Sequence, residues 1–245
     1  MEKTALVLRT CNPDLTSHGG FKWPDNGPVA CPDWDATPEC GHGLHGLLWG
    51  EGCGELLNWS TDAKWLVVEV LESEIVQLGT DKVKFPRGAV VHCGDRKSAT
   101  DYLLSKLTKS ASVVGATVTA GYGGTATAGD RGTATAGDGG TATAGYGGTA
   151  TAGDGGIATA GYGGTATAGY GGAATAGDGG TATAGDGGIA TAGDRGTATA
   201  GDGGVIQLKF YDGVRYRVVT LYVGEDGILP NVKYKLDKGK PVKAN

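Results

Sequence analysis

Residues Thr141–Gly164 read TATAGYGG-TATAGDGG-IATAGYGG, three copies of one octad, within a run of eleven octads from Thr117 to Gly204 that has no insertion. The true period is sixteen. Position 1 of alternate octads is Thr117, Thr133, Thr149, Thr165, Thr181 and Thr197, always threonine. In the interleaved octads it is Thr125, Thr141, Ile157, Ala173 and Ile189, with Val205 next in line. Two faces of different tolerance imply a coil built of two octads.

T-A-T-A alternates with period 2, the period of a strand. The G-D-G-G and G-Y-G-G segments interrupt it, because glycine permits the positive φ that a tight corner needs. Strand and corner repeated without gaps predict a β-solenoid whose coils stack at ~4.7–4.9 Å. Eleven octads make about five and a half coils, a rod ~25 Å long at that spacing. Position 2 is alanine in every octad but the first, which has Val118. That uniformity predicts a tight interior lined by alanine at positions 2 and 4, with both threonines facing water. Buried threonine hydroxyls would each need a partner or cost ~1–3 kcal/mol. The drift to Ile157, Ala173 and Ile189 suggests partial burial on the second face, for instance by a partner.

Working outward, composition shifts on both sides of the repeat. Residues 1–115 hold all five cysteines, all four histidines and all five tryptophans. Strands are expected at KTALVLRTC, WLVVEVL (Trp65–Leu71) and AVVHC (Ala89–Cys93), and a helix capped by Asp95 at DRKSATDYLLSKL. This predicts a small α+β domain whose last helix leads into the repeat and covers its first coil. Residues 205–245 read as strands, VIQLKFYDG, VRYRVVTLYV and ILPNVKYKL. The Asp212-Gly213 and Asp226-Gly227 turns predict a β-hairpin cap. The expected fold class is mainly β, with domains 1–115, 116–204 and 205–245.

A net charge of −5 offers no electrostatic case for nucleic acid. No apolar run approaches the ~18 residues of a membrane span, and MEKTALVLRTCNPD lacks a signal's apolar stretch. A cytoplasmic protein is expected. An odd cysteine count argues against a disulfide framework.

The octads resemble the repeats of bacterial ice nucleation proteins, whose unit reads roughly AGYGSTxTAGxxSxLT; here Ala144–Thr159 reads AGYGGTATAGDGGIAT. The resemblance covers about 88 residues. It implies a non-enzymatic protein whose outward T-x-T rows order water or bind ice. Those rows would be Thr117/Thr119, Thr133/Thr135, Thr149/Thr151, Thr165/Thr167, Thr181/Thr183 and Thr197/Thr199. Family arrays run to many tens of coils. A short array implies weak nucleation by a lone copy and leaves binding to existing ice as the easier task. The resemblance also implies a tyrosine ladder that pairs two rods. In this chain only Tyr146 and Tyr162 adjoin on one side, and they are the assembly candidates. The N-terminal region is similar to an uncharacterised bacterial and phage domain found ahead of such octads.

Other readings stand beside this one. The runner-up is a structural rod that assembles end to end or displays the N-terminal domain. Cys40, His42, His45 and Cys53 have a conceivable zinc spacing without a paired CxxC; otherwise no cofactor is implied. GLH ahead of WLVVEV resembles the core of ADP-ribosyltransferase folds, which would make Arg9 and Glu69 the candidate pair of an enzyme. The octad aspartates are expected to be solvated corner residues, with Arg131 and Arg195 as partial partners.

Overall fold

The computed structural model describes residues 2–107 and 111–244 and divides into two compact units, Met1–Ala116 and Thr117–Asn245. Among the described residues no helix is long and apolar enough to cross a membrane.

The first unit is built on β1 (Thr4–Cys11), β2 (Gly27–Ala30), β3 (Leu44–Leu48), β4 (Lys64–Leu71), β5 (Val76–Leu78), β6 (Lys82–Phe85) and β7 (Arg87–Gly94). They form one antiparallel sheet in the order β2-β7-β4-β1-β3-β6-β5. β1 and β4 are fully apolar at their centres because both faces of the sheet are covered. One face carries Ala5, Val7, Leu66 and Val68, packed with Trp23 and Phe85. Across the other runs α1 (Arg96–Lys106), which packs on β4 and β7. Asp95 caps α1 by accepting from the Ser98 backbone N–H at 2.8 Å. The sequence reading found β1, β4, β7 and α1. It missed β2, β3, β5 and β6, which are three to five residues long and lack a strong alternation.

The second unit is a β-solenoid of six coils with a 16-residue repeat. One sheet stacks the strands Thr117–Ala120, Thr133–Ala136, Thr149–Ala152, Thr165–Ala168, Thr181–Ala184 and Thr197–Ala200. The other stacks the strands that begin at Thr125, Thr141, Ile157, Ala173, Ile189 and Val205. All these neighbours are parallel and in register, residue i over residue i+16. The sixth coil is closed by Val205–Leu208, which is not an octad. There Ile206 and Leu208 occupy the alanine positions.

Alanine lines the interior. Twenty alanines from Ala126 to Ala200 form one buried cluster. A buried methyl contributes only about 0.8 kcal/mol, so much of the fold rests on the backbone ladder, which continues through the corners. Thr141 N–H donates to Gly124 C=O at 2.9 Å, and Gly139 N–H donates to Asp154 C=O at 2.8 Å.

The glycines of the corner differ in purpose. Position 7 has positive φ, +66° at Gly139, with open space where a Cβ would stand. The position 8 N–H closes the turn on the position 5 carbonyl, 3.0 Å from Gly140 to Gly137, in the pattern of a type II turn. Position 8 itself needs glycine for room: a Cβ on Gly140 would lie 2.8 Å from the carbonyl oxygens of Gly124 and Gly137. Two position 7 residues are not glycine. Arg131 and Arg195 hold φ of 53° and 57°.

Antiparallel strands end both sheets at the C-terminal side. Tyr216–Tyr222 forms a hairpin with Val205–Tyr211, and Tyr234–Asp237 bridges to the Thr197 strand and pairs with Lys240–Lys243. Leu221, Val223, Ile228 and Tyr234 close the alanine core there.

Candidate functional site

Pairing every strand of the first sheet in register sets its threonines in two straight columns. Position 1 aligns Thr117, Thr133, Thr149, Thr165, Thr181 and Thr197; position 3 aligns Thr119, Thr135, Thr151, Thr167, Thr183 and Thr199. All twelve are half-buried or exposed, while the alanines between them are buried from the second coil on. Strand geometry places the two columns ~6.8 Å apart and successive rows ~4.8 Å apart. Threonine is β-branched and stiff at χ1, so methyls and hydroxyls are held in a fixed grid. Among the described residues of this sheet, one threonine pair is linked through its hydroxyls, Thr181 to Thr197 at 3.2 Å. Among the described residues no other hydroxyls of this sheet are bonded to one another.

On the second sheet position 3 stays threonine from Thr127 to Thr191, and position 1 turns apolar. Ile157 and Ile189 stand outward, 49% and 44% exposed. Ala173 and Val205 are partly buried, as expected for this position, while the isoleucines are exposed because positions 2 and 4 fill the solenoid interior. Tyr146 and Tyr162 come together at the corner column, stacked nearly parallel with centroids 5.4 Å apart.

The sequence predicts solvated corner aspartates. The structure gives five of them a structural bond in addition. The Oδ1 atoms of Asp130, Asp138, Asp154, Asp178 and Asp186 accept the position 6 backbone N–H one coil later, on Tyr146, Asp154, Tyr170, Asp194 and Asp202. Distances are 2.8–3.0 Å. Glycine at position 5 of the following coil leaves space for that carboxylate; a Cβ on Gly153 would collide with Asp138. The i to i+16 spacing of Asp and Gly carries this signal, but its meaning depends on knowing that coils stack. Arg195 pairs with its neighbour Asp194 at 3.3 Å at the surface.

The remaining candidates lie in the first unit. Among the described residues no group of three or more His, Cys, Asp or Glu side chains is placed to hold a metal, so Cys40, His42, His45 and Cys53 do not form the site their spacing suggested. His42 Nδ1 instead meets Asp33 at 3.0 Å. All five cysteines are free thiols. Arg9 and Glu69 are not brought together. Leu6, not Arg9, lies opposite Glu69 in the β1–β4 register, so strand alternation puts Arg9 and Glu69 on opposite faces of the sheet. Glu69 accepts from Thr4 Oγ1 at 3.1 Å. An arginine–glutamate transfer centre is therefore not formed by this pair.

Comparison with known proteins gives two kinds of match. Residues 5–101 match a domain of unknown function (DUF7666). The chain is similar to the ice nucleation protein of Pseudomonas syringae pv. syringae, 42% identical over 116 residues, 47% of this chain and 10% of that protein. It is 44% identical to the ice nucleation protein of Pseudomonas fluorescens over 105 residues, 42% of this chain and 9% of the relative. For that of Xanthomonas campestris pv. translucens the figures are 42% over 103 residues, 42% and 7%. The chain thus spans a tenth or less of the length of these curated relatives. No solved structure matches it. The chain is thus a β-solenoid repeat protein similar to ice nucleation proteins.

Proposed function

We propose that the all-threonine sheet is a small water-ordering plate that binds ice and that nucleates it only when many copies are arrayed. The observation that carries this reading is the pair of six-membered threonine columns, outward and in register. Water bound to such a grid meets side chains that are already ordered, so little further ordering is needed on freezing. Six coils form a small template, and small templates favour attachment to existing ice over nucleation. The relatives, at least ten times longer than the matched stretch, carry the words ice nucleation in their names and support the same chemistry.

Ice-shaping and thermal hysteresis assays test it. The full chain should shape ice crystals, and Thr149→Lys with Thr165→Lys should abolish that activity while leaving the unfolding midpoint unchanged, since both side chains are exposed. No ice activity in the unmodified chain at high concentration would sink the proposal.

The second reading, an assembly rod, is favoured by one observation: Ile157 and Ile189 stand exposed on the sheet opposite the threonine plate. Concentration-dependent filaments or paired rods in electron micrographs, lost in Ile157→Lys, would support it.

A further inference from the structure

The second sheet of the solenoid extends past the octads. It ends in the strand Val205–Tyr211 and its antiparallel neighbour Tyr216–Tyr222. Register carries position 1 through both, so Ile157, Ala173, Ile189, Val205 and Tyr222 form one outward column on five successive strands. Alternation sets Lys209 and Tyr211, with Val218 and Tyr216 opposite them, on the same outward side. Ile157, Ile189, Tyr211, Tyr216, Val218 and Tyr222 are all exposed. The octad strands of the threonine plate carry no exposed large apolar side chain. Exposed apolar side chains gathered on one face mark an interaction surface.

Charge, size and shape of this face suit a second copy of the chain. Among the described residues Lys209 is its only charged outward side chain, and the ammonium lies 4.2 Å from the Tyr216 ring centroid. The face therefore offers little to a charged partner and little repulsion to an identical one. Strands ~4.8 Å apart, with four to seven residues at ~3.4 Å each, give a footprint of roughly 500 Å² per copy. Two such faces cover about 1,000 Å² in total, the lower bound for a specific interface.

The column also fits its own reverse. Ala173 is its one small residue, flanked by Ile157 and Ile189. A two-fold axis parallel to the strands lays position 1 over position 1 and reverses the order of the coils. With that axis midway between Ala173 and Ile189, Ile189 of each copy stands over Ala173 of the other. Val205 then meets Ile157, and Tyr222 meets Thr141. The hairpin agrees with the same axis. Val205–Tyr211 has seven residues against the four of an octad strand. It carries Tyr211 and Tyr216, in edge contact at 5.3 Å, past the sheet on the side of the corner that holds the stacked Tyr146 and Tyr162. The axis brings the first aromatic pair over the second.

We propose that two copies pair back to back through their second sheets, antiparallel, about this axis. The interface is isologous, as in most dimers, and both threonine plates face outward. The proposal rests on the assembly reading of this face and narrows it to a closed pair. Activity on ice plays no part in it.

Sedimentation velocity on the full chain over a wide concentration range tests it. The chain should pass from monomer to dimer with Kd on the order of 10–100 μM, as an interface near the lower size bound implies, and should grow no further. Ile189→Lys should weaken the dimer at least tenfold. Ala173→Ile should also weaken it severalfold, although it adds apolar surface, because isoleucine would then meet isoleucine. Both side chains point outward, and circular dichroism checks that each variant is folded. Thr149→Lys, on the opposite sheet, should leave the dimer unchanged. A monomer at every concentration overturns the proposal together with the assembly reading. Filaments in place of dimers, or a dimer indifferent to Ile189→Lys, overturn the pairing and leave assembly by another contact. A tighter dimer in Ala173→Ile, or its loss in Thr149→Lys, overturns the pairing as well.

Discussion

On the sheet that begins at Thr117, position 1 is threonine in every coil, whereas on the sheet that begins at Thr125 it passes to Ile157, Ala173, Ile189 and Val205. The backbones do not explain the difference. Both sheets are parallel, in register and closed on the same alanine core, and position 1 points outward on each. Isoleucine stands half-exposed on the second sheet without disturbing the coil. Folding therefore tolerates several residues at position 1, and the all-threonine column is not a requirement of the solenoid.

The comparison assumes that one backbone serves both sheets, and the corner is where that assumption breaks most easily. Gly140→Ala should destabilise by ~3 kcal/mol, because its Cβ meets two carbonyl oxygens and a neighbouring alanine at once. Gly139→Ala, one residue earlier in open space, should cost only about 1 kcal/mol for its left-handed φ. Denaturant unfolding of both variants checks the ratio; equal costs would refute the two distinct roles given to corner glycines. A smaller effect is expected at Asp154, which accepts from Tyr170 N–H at 2.8 Å. Asp154→Ala should cost about 1 kcal/mol and Asp154→Asn less, since the amide oxygen still accepts.

The comparison is sharpest where stability should not move at all. Ile157→Thr, Ala173→Thr and Ile189→Thr together would extend threonine over five coils of the second sheet. Unfolding free energy should shift by about 0.5 kcal/mol or less, while ice shaping rises if outward threonine columns are sufficient. Unchanged ice activity would mean that the first sheet contributes something besides threonine.

The smallest effect belongs to the hairpin that ends the second sheet. The Arg215 backbone N–H, the Arg217 guanidinium and the Val214 N–H lower the Asp212 pKa to about 2. A carboxylate whose folded pKa is depressed stabilises the fold fully above its unfolded value near 3.8 and loses that contribution as pH falls towards 2. Exchange protection in Tyr211–Tyr216, measured relative to the intrinsic rate at each pH, should therefore fall between pH 4 and pH 2, and Asp212→Asn should remove the dependence.

Much of this was legible in the octads, because period 2 within a strand and period 16 between coils are local patterns. Alanine inside and threonine outside followed from the uniformity of position 2. The corner aspartate bond was not legible, since Asp138 and Asp154 are sixteen residues apart and become neighbours only when coils stack. The sixth coil was legible only in part: Val205 falls in line at position 1, but Val205–Leu208 has the octad's alternation without its residues. In the first unit the short strands β2, β3, β5 and β6 have no strong alternation and are not legible. The sequence suggests Arg9 and Glu69 as a pair, but face assignment depends on register, which sets them on opposite faces.

By itself the sequence determined the solenoid, its repeat length, its alanine core and the asymmetry between its outer faces, since a strict repeat makes every coil subject to the same local rules. Tertiary structure decided which side chains meet across coils and across β1 and β3. Those contacts join residues distant in the chain, and their geometry is set by stacking and strand register, which no local pattern encodes.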